Sequence, residues 1–321
     1  MPTKILFGGA SFGTGGAFTT EAQVKEAFDL LQSLNITDID TARLYANSEA
    51  LIGAQPSRTS FSISTKLQAG FFGIAVPTKD TITKDSLDSH DLVKIPQFDV
   101  LYLHCANTEV PWEEQLGAIN EVYKKGIFKR FGISNFTAEQ VETVYSIAKE
   151  KGYVLPSVFQ GNYNPIGRHS EAKLLPTLRK LNIPFYAYSP LAGGFLTKSV
   201  ADINAGAGRF NDQWAGGLYN KLYNHPALRA ALEDWEKIAE KEGVSKAELA
   251  YRWVANDSAL SGEKGDGVIF GGSSLKQIEQ TAKALGKGGL SEEAKKGIEE
   301  IWEKVKGEAP IDNYVGNGTT K

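Results

Sequence analysis

The chain has 321 residues, 41% hydrophobic and 23% charged, with a formal net charge of -3 at pH 7. Those proportions describe a folded globular protein of one large or two ordinary domains, and they exclude a disordered chain or a basic nucleic-acid surface. The single cysteine, Cys105, excludes an intramolecular disulfide, and no apolar run approaches the roughly 20 residues of a membrane span.

The first apolar run, "KILFGGA" (Lys4–Ala10), is far too short for a signal peptide and reads as a first strand. After Thr20, "EAQVKEAFDLLQSL" places Val24, Ala27, Phe28 and Leu31 at helical spacing. "TDIDTA" is the second strand, "SEALIGA" a short helix, and "FSISTKL" the third strand. A weakly patterned helical stretch with ill-defined edges follows, up to Ile95. "FDVLYLHC" is the clearest strand, and "PWEEQLGAINEVYKKG" starts with the proline that a first helical turn tolerates. "FKRFGIS" is the fifth strand. The next helix opens with a capping box, Thr137 to Gln140, and ends at Gly152. "PSVFQGNYN", the helix "EAKLLPTLRKLN" and the strand "PFYAYSPLA" follow. A Gly- and aromatic-rich loop spans about Gly193–Asn224, before a helical region with a second capping box, Ser245 to Glu248. "DGVIFGG" is the eighth strand, "SLKQIEQTAKAL" the eighth helix, and "SEEAKKGIEEIWEKVK" an amphipathic helix in the tail. The ending "GNGTTK" is neither a prenylation box nor a peroxisomal tripeptide, and a cytoplasmic protein is expected.

Eight strands alternating with about eight helices predict a (β/α)8 TIM barrel with a long loop after strand 7 and a C-terminal helical tail. A single domain over 1-321 is expected, with no repeat or linker. The competing doubly wound sheet usually carries G-x-G-x-x-G after its first strand, which "GGASFGTGG" does not match.

In a barrel, function gathers at the C-terminal ends of the strands. Asp40, Lys66 and His104 stand at those ends of strands two, three and four, and Tyr45 lies in the loop after strand two. Each has an ordinary alternative. Asp40 fits a helix cap or a pair with Arg43, Lys66 a solvated strand end, His104 a satisfied core histidine, and Tyr45 simple packing. Their joint placement on consecutive strand tips favours chemistry. A carbonyl that receives a hydride becomes an alkoxide and needs a proton. A phenol, with an ordinary pKa of about 10, donates one more readily beside an ammonium that lowers it. Lys66 fits that ammonium, Asp40 its counter-ion, and His104 a hydrogen-bond donor to the carbonyl oxygen. Cys105 follows His104 directly and should face the other way along the strand. The remaining histidines, His90, His169 and His225, lack metal-ligand spacing, so no metal is expected.

The sequence resembles the aldo-keto reductase superfamily, and within it the aflatoxin aldehyde reductase group. The resemblance rests on "DIDTARLY", "STK", "LYLH", "GISNF", "FQGNYNP", "YAYSPLAGGFLTK", "GRF" and "IFGGSSLKQIEQ" in one order, from about Phe7 to Leu285. It implies a barrel that binds NADPH without a Rossmann fold and reduces an aldehyde or ketone. It implies a catalytic tetrad of Asp40, Tyr45, Lys66 and His104, with Tyr45 the general acid. Ser134, Asn135 and Gln160 would hold the carboxamide of NADPH and Tyr188 would stack on its nicotinamide. Ser189, Leu191, Gly193 and Lys198 would follow the pyrophosphate, with Lys198 and Arg209 supplying charge to the 2′-phosphate. Gly271, Gly272, Ser273 and Ser274 would approach the adenosine phosphates near Gln277 and Gln280. Thr281 and Gln277 depart from the asparagine and arginine of many relatives. Trp214, Tyr219, Tyr223 and Tyr314 are candidates to line the pocket for a small-molecule carbonyl substrate, with Phe12 and Phe18, although packing under the rim is an equal alternative. A nicotinamide-binding regulatory subunit of low turnover, like the potassium-channel beta subunits, is the other class the resemblance allows.

Overall fold

The computed structural model describes residues 2–312, apart from the side chains of Phe72 and Trp214. Tyr314 therefore lies outside the described residues. Eight parallel strands close into a barrel in chain order: β1 Lys4–Gly8, β2 Asp38–Asp40, β3 Ser62–Leu67, β4 Phe98–Leu103, β5 Phe128–Ser134, β6 Pro156–Asn162, β7 Phe185–Tyr188 and β8 Gly267–Phe270. The ring is sealed by β1 against β8, with Lys4 opposite Gly267 and Phe7 opposite Phe270. This closure removes the doubly wound alternative.

The helices are α1 Glu21–Ser33, α2 Ser48–Gly53, α3 Lys79–Val93, α4 Trp112–Lys124, α5 Ala138–Lys151, α6 Leu174–Lys180, α7 Val200–Asn204, α8 Leu218–Tyr223, α9 Pro226–Glu242, α10 Lys246–Arg252, α11 Leu275–Leu285 and α12 Glu292–Val305. Their ends follow local chemistry. Thr137 and Gln140 cap each other at the start of α5, and Gly152 ends it at φ 65°. The box at Ser245 forms only in half: Ser245 accepts from Glu248 N, while the Glu248 carboxylate turns to Lys287 at 2.7 Å. The loop after β7 is less irregular than its composition suggests. Ser199 and Asp202 form a capping box that starts α7, and α8 closes the segment. No helix among the described residues is long and apolar enough to cross a membrane.

The poorly patterned stretch after β3 is α3, capped by Thr78 and ended by Lys94 at φ 56°. Its buried face is Ile82, Ser86, Ser89 and Val93, so serines stand where aliphatic residues would give a helical period. The end of α3 approaches α2 closely at Gly53, where a built Cβ would stand 1.8 Å from the Leu92 carbonyl oxygen.

Strand alternation sorts side chains into two cores. Phe7, Ile39, Ile63, Leu67, Leu101 and Leu103 face the helices in the large outer core. Leu6, Val100, Tyr102, Val158, Tyr186 and Ile269 fill the barrel interior. Parity therefore points Asp40, Lys66, His104 and Gln160 inward, above that apolar plug. Cys105 goes the other way and packs with Phe71 and Leu44. Tyr102 needs room inside the ring, and Gly132 on the neighbouring strand provides it. A Cβ there would lie 2.3 Å from Tyr102 Cδ1 and 2.7 Å from Val100 Cγ1. Gly132→Ala is thus expected to destabilise the fold by about 1–3 kcal/mol through overpacking, read as a lower urea midpoint at unchanged slope.

Candidate active site

Lys66 sits at the centre of the rim, fully buried. Its Nζ donates to Asp40 Oδ2 at 2.5 Å and to the Thr41 carbonyl at 2.9 Å. Asp40 Oδ1 accepts from Gln160 Nε2 at 2.8 Å, so both carboxylate oxygens are engaged. Arg43, the alternative partner for Asp40, instead turns outward to Glu49, Asp85 and Asp88. Burial alone would push the Lys66 ammonium down, but Asp40 and Tyr45 together carry it above its ordinary value. Lys66 is therefore charged at neutral pH.

Tyr45 is half-buried over this pair, with Lys66 Nζ 5.0 Å from its ring centroid. Burial raises its phenol above the ordinary value, and Lys66 acts against that shift while Asp40 adds to it. The expectation of a lowered phenol is met only as a direction of pull: desolvation outweighs the ammonium in the net. His104 completes the group, its ring 6.0 Å from that of Tyr45 and 4.6 Å from that of Phe71. Burial, then the Lys66 charge, pushes His104 well below the usual imidazole range, so it is neutral. Its buried Nδ1 has no hydrogen-bond partner among the described residues. An unpaired buried donor costs more than an unpaired acceptor, which favours the tautomer with the proton on Nε2.

The residues around the tetrad divide into two sets. Asn135, held at φ 57°, donates from Nδ2 to the His104 carbonyl at 2.9 Å and accepts from Tyr188 Oη at 2.7 Å. Ser134, Asn135, Gln160 and Tyr188 thus stand together beside Asp40 and His104. The second set borders the β7 and β8 loops. Ser189 takes φ 54°, and its carbonyl accepts from Asn164 Nδ2 at 3.2 Å. Leu191 is half-buried. Gly193, at φ 69°, is pressed by Tyr219: a Cβ there would meet Tyr219 Cε1 at 1.8 Å. Arg209 donates to Tyr219 Oη at 3.2 Å, and Lys198 is half-buried, its carbonyl accepting from Lys246 at 3.3 Å. At α11, Gly271 has open space, Gly272 packs close to Ile278, and Ser273 is bound to Gln277 through both N and Oγ at 2.9 and 2.7 Å. Ser274 caps Gln277 N, Gln280 is exposed, and Thr281 hydrogen-bonds with Tyr251.

The pocket candidates fare unevenly. Tyr219 is near enough to Tyr45 to add slightly to the rise of the Tyr45 phenol, after burial and the nearer charges. Tyr223 is fully buried and receives a hydrogen bond from Asn162 at 3.1 Å, so it belongs to the packing beneath the β7 loop. Phe12 and Phe18 pack on each other at 5.9 Å, and Phe12 also on Phe7 and Phe28, within the outer core. Sequence reasoning missed Phe71; the aromatic pair in "GFFG" just after the Lys66 strand was the signal. Clefts of about 310 and 610 Å3 lie between α9 and α12 and beside α7 and α8, and no tetrad residue lines either. No cluster of His, Cys, Asp or Glu among the described residues could hold a metal ion.

A parallel (β/α)8 barrel with an ammonium, a carboxylate, a phenol and an imidazole gathered at one rim defines a class of barrel enzyme that works at its strand tips. Residues 4–303 match the Aldo/keto reductase family, and the chain belongs to it. It is 39% identical over 316 residues to the oxidoreductase sirO of Leptosphaeria maculans, covering 95% of each chain. It is 32% identical over 328 residues to aflatoxin B1 aldehyde reductase member 4 of Homo sapiens, covering 98% of this chain and 97% of that one. It is 31% identical over 299 residues to aflatoxin B1 aldehyde reductase member 2 of Mus musculus, covering 87% and 79%. The family comprises oxidoreductases of small carbonyl compounds that generally use NAD(P)H, and this chain is an enzyme of that kind.

The contact between Asp40 and Lys66 predicts coupled losses. Lys66→Met leaves a buried carboxylate unpaired, which costs about 3–5 kcal/mol of stability. Lys66→Met and Asp40→Asn should each lower kcat, with a double variant less impaired than the product of the two, as for contacting residues. A double-mutant cycle on kcat with one aldehyde at fixed pH checks this; strictly multiplicative losses would mean that the two groups act independently.

Proposed function

We propose that the protein reduces an aldehyde or ketone to the alcohol with NADPH, with Tyr45 as the general acid. The observation that carries this reading is the buried Lys66–Asp40 pair directly beneath the Tyr45 ring. When bound, NADPH supplies a hydride to the carbonyl carbon. Tyr45 then gives its proton to the carbonyl oxygen as negative charge develops there, and Lys66 stabilises the phenolate left behind. His104, neutral and protonated on Nε2, donates a hydrogen bond that orients the same oxygen. Asp40 holds Lys66 in place and in its charged form. The complete set of four supports turnover rather than a purely regulatory role.

The residues on the rim suit the cofactor. Ser134, Asn135 and Gln160 offer amide and hydroxyl groups at the height of the tetrad, and Tyr188 offers a ring beside them. At the other end, Gly271 has no atom near a built Cβ, and the first turn of α11 presents backbone N–H groups toward a phosphate. Lys198 and Arg209 add positive charge for the 2′-phosphate. Gln277 is engaged with Ser273 and Thr281 with Tyr251, so the charge preference rests on Lys198 and Arg209. Tyr219 and the Trp214 position border the substrate side, and a cytoplasmic setting suits the lone reduced cysteine.

Tyr45→Phe is expected to lower kcat by roughly 10² to 10⁴, the usual contribution of a general acid, while NADPH affinity stays near wild type. A variant that keeps most of its kcat would remove Tyr45 from the proton. Separate titrations of NADPH and NADH against tryptophan fluorescence should show tighter binding of NADPH. Equal dissociation constants would take Lys198 and Arg209 out of any 2′-phosphate role.

A further inference from the structure

The segment that carries Tyr45 is fastened at two places. On the barrel side, Lys66 Nζ donates to the Thr41 carbonyl at 2.9 Å, and Arg43 N donates to the Lys66 carbonyl at 3.1 Å. On the outer side, the Arg43 side chain enters the gap between α2 and α3. Its Nε lies 3.3 Å from Asp85 Oδ1, one terminal nitrogen 3.5 Å from Asp88 Oδ2, and the other 3.8 Å from Glu49 Oε2. It also donates to Ser89 Oγ at 3.4 Å. Glu49 leads back to the site, because its Oε1 accepts from Thr65 Oγ1 at 2.6 Å, and Thr65 precedes Lys66 on β3. The contacts close a circuit through Lys66, Thr41, Arg43, Glu49 and Thr65, and Tyr45 projects from it two residues beyond Arg43.

We propose that Arg43 is a positioning residue for Tyr45: its guanidinium, shared by Glu49, Asp85 and Asp88, clamps the turn that sets the phenol over Lys66. The proposal rests on the reading of Tyr45 as the proton donor. None of the four contacts is short, so the clamp works by number rather than by one strong pair. A planar guanidinium can address partners on two helices at once, which a point-charge ammonium does less well. Without Arg43, three carboxylates stand together across α2 and α3 with Lys84 beside them, paired to Asp88 and acting on Asp85, and Glu49 loses its cation. Burial already pushes Glu49 and Asp85 above the usual carboxylate range, with Arg43 pulling each down. The turn also holds strain, because Ala46, directly after Tyr45, takes φ 46°. Release of the clamp lets that turn relax and carries the phenol away from Lys66.

The test compares Arg43→Met, Arg43→Lys and Tyr45→Phe in the full chain, with NADPH and one aldehyde. The charged and titratable groups facing Tyr45 are Asp40 from β2, Lys66 from β3, His104 beyond β4 and Tyr219 from α8. Arg43→Met should lower kcat by roughly ten- to a hundredfold, as for a misplacement near 1 Å, with the NADPH dissociation constant unchanged. The apparent pKa that governs kcat should move upward, because the phenol loses Lys66, which lowers it. Arg43→Lys should restore part of the rate. An unmoved pH profile in Arg43→Met, whatever its thermal stability, would reduce Arg43 to ordinary structure and overturn the proposal, as would a lysine variant no better than methionine. If Arg43→Met does not fold, Asp85→Asn should shift kcat and the profile in the same direction by less, and no shift overturns the clamp. An active Tyr45→Phe sinks the general acid and the clamp with it. An inactive Tyr45→Phe beside an unaffected Arg43→Met sinks the clamp alone.

Discussion

The ion pair between Lys66 and Asp40 dictates much of the rest. A buried ammonium and a buried carboxylate each lose several kcal/mol of hydration, and their attraction offsets this only when the remaining hydrogen-bonding capacity is filled. Here Thr41 supplies a carbonyl to the lysine and Gln160 an amide to the aspartate. Those partners come from the end of β2 and from β6, on different sides of the ring. A closed barrel brings both to one axial level, and the apolar plug of Leu6, Val100, Tyr102, Val158, Tyr186 and Ile269 seals the space beneath. The polar layer therefore depends on closure, on strand parity and on Gly132 leaving room for Tyr102.

From that pair the electrostatics spread outward along the rim. Burial, in concert with the Lys66 charge, holds the His104 imidazole neutral, and the same charge opposes the rise of the Tyr45 phenol. The backbone of the same strand tips is tied sideways, since Asn135 joins the His104 carbonyl to Tyr188. The polar groups are thus positioned by each other as much as by the loops that carry them. The β7 loop lies over this arrangement, with Tyr219 pressed on Gly193 and Tyr223 locked below by Asn162.

Features carried by local chemistry were legible in the sequence. The box at Thr137, the strand "FKRFGIS" and the terminal amphipathic helix each have a signal within a few residues, and all three stand where that signal put them. The meeting of Asp40, Tyr45, Lys66 and His104 was legible because strand tips share one end of a barrel. What escaped depends on partners distant in sequence. The buried face of α3 carries serines instead of a regular apolar period, and its end packs on α2 where Gly53 leaves room for the Leu92 carbonyl. Tyr223, Phe12 and Phe18 were open to two readings, pocket lining or packing under the rim, and only their distant partners Asn162, Phe7 and Phe28 show what they pack on. Arg43 offered only an alternative partner for Asp40, three residues away, whereas its guanidinium reaches α3, more than forty residues on.

The state of Tyr45 follows from two opposed effects of unequal size. Desolvation penalises the phenolate because little water reaches the ring; Lys66 favours the phenolate because its ammonium is near. In the protein without substrate, desolvation prevails, and the phenol stays protonated at neutral pH. That is the form a proton donor needs before the reaction. In the proposed reaction, a carbonyl oxygen would take that proton as it gains negative charge, and the ammonium would then face a full phenolate at the same short range. On that reading, the interaction with Lys66 would be stronger after transfer than before, which is the condition for lowering a barrier rather than merely binding a ground state. A phenol lowered far below its ordinary value at rest would have lost the proton in advance. Burial that keeps it in place, and a buried cation that would stabilise the charge left by the proposed transfer, are two halves of one arrangement, and the cation is held by the pair that Asp40 forms with Lys66.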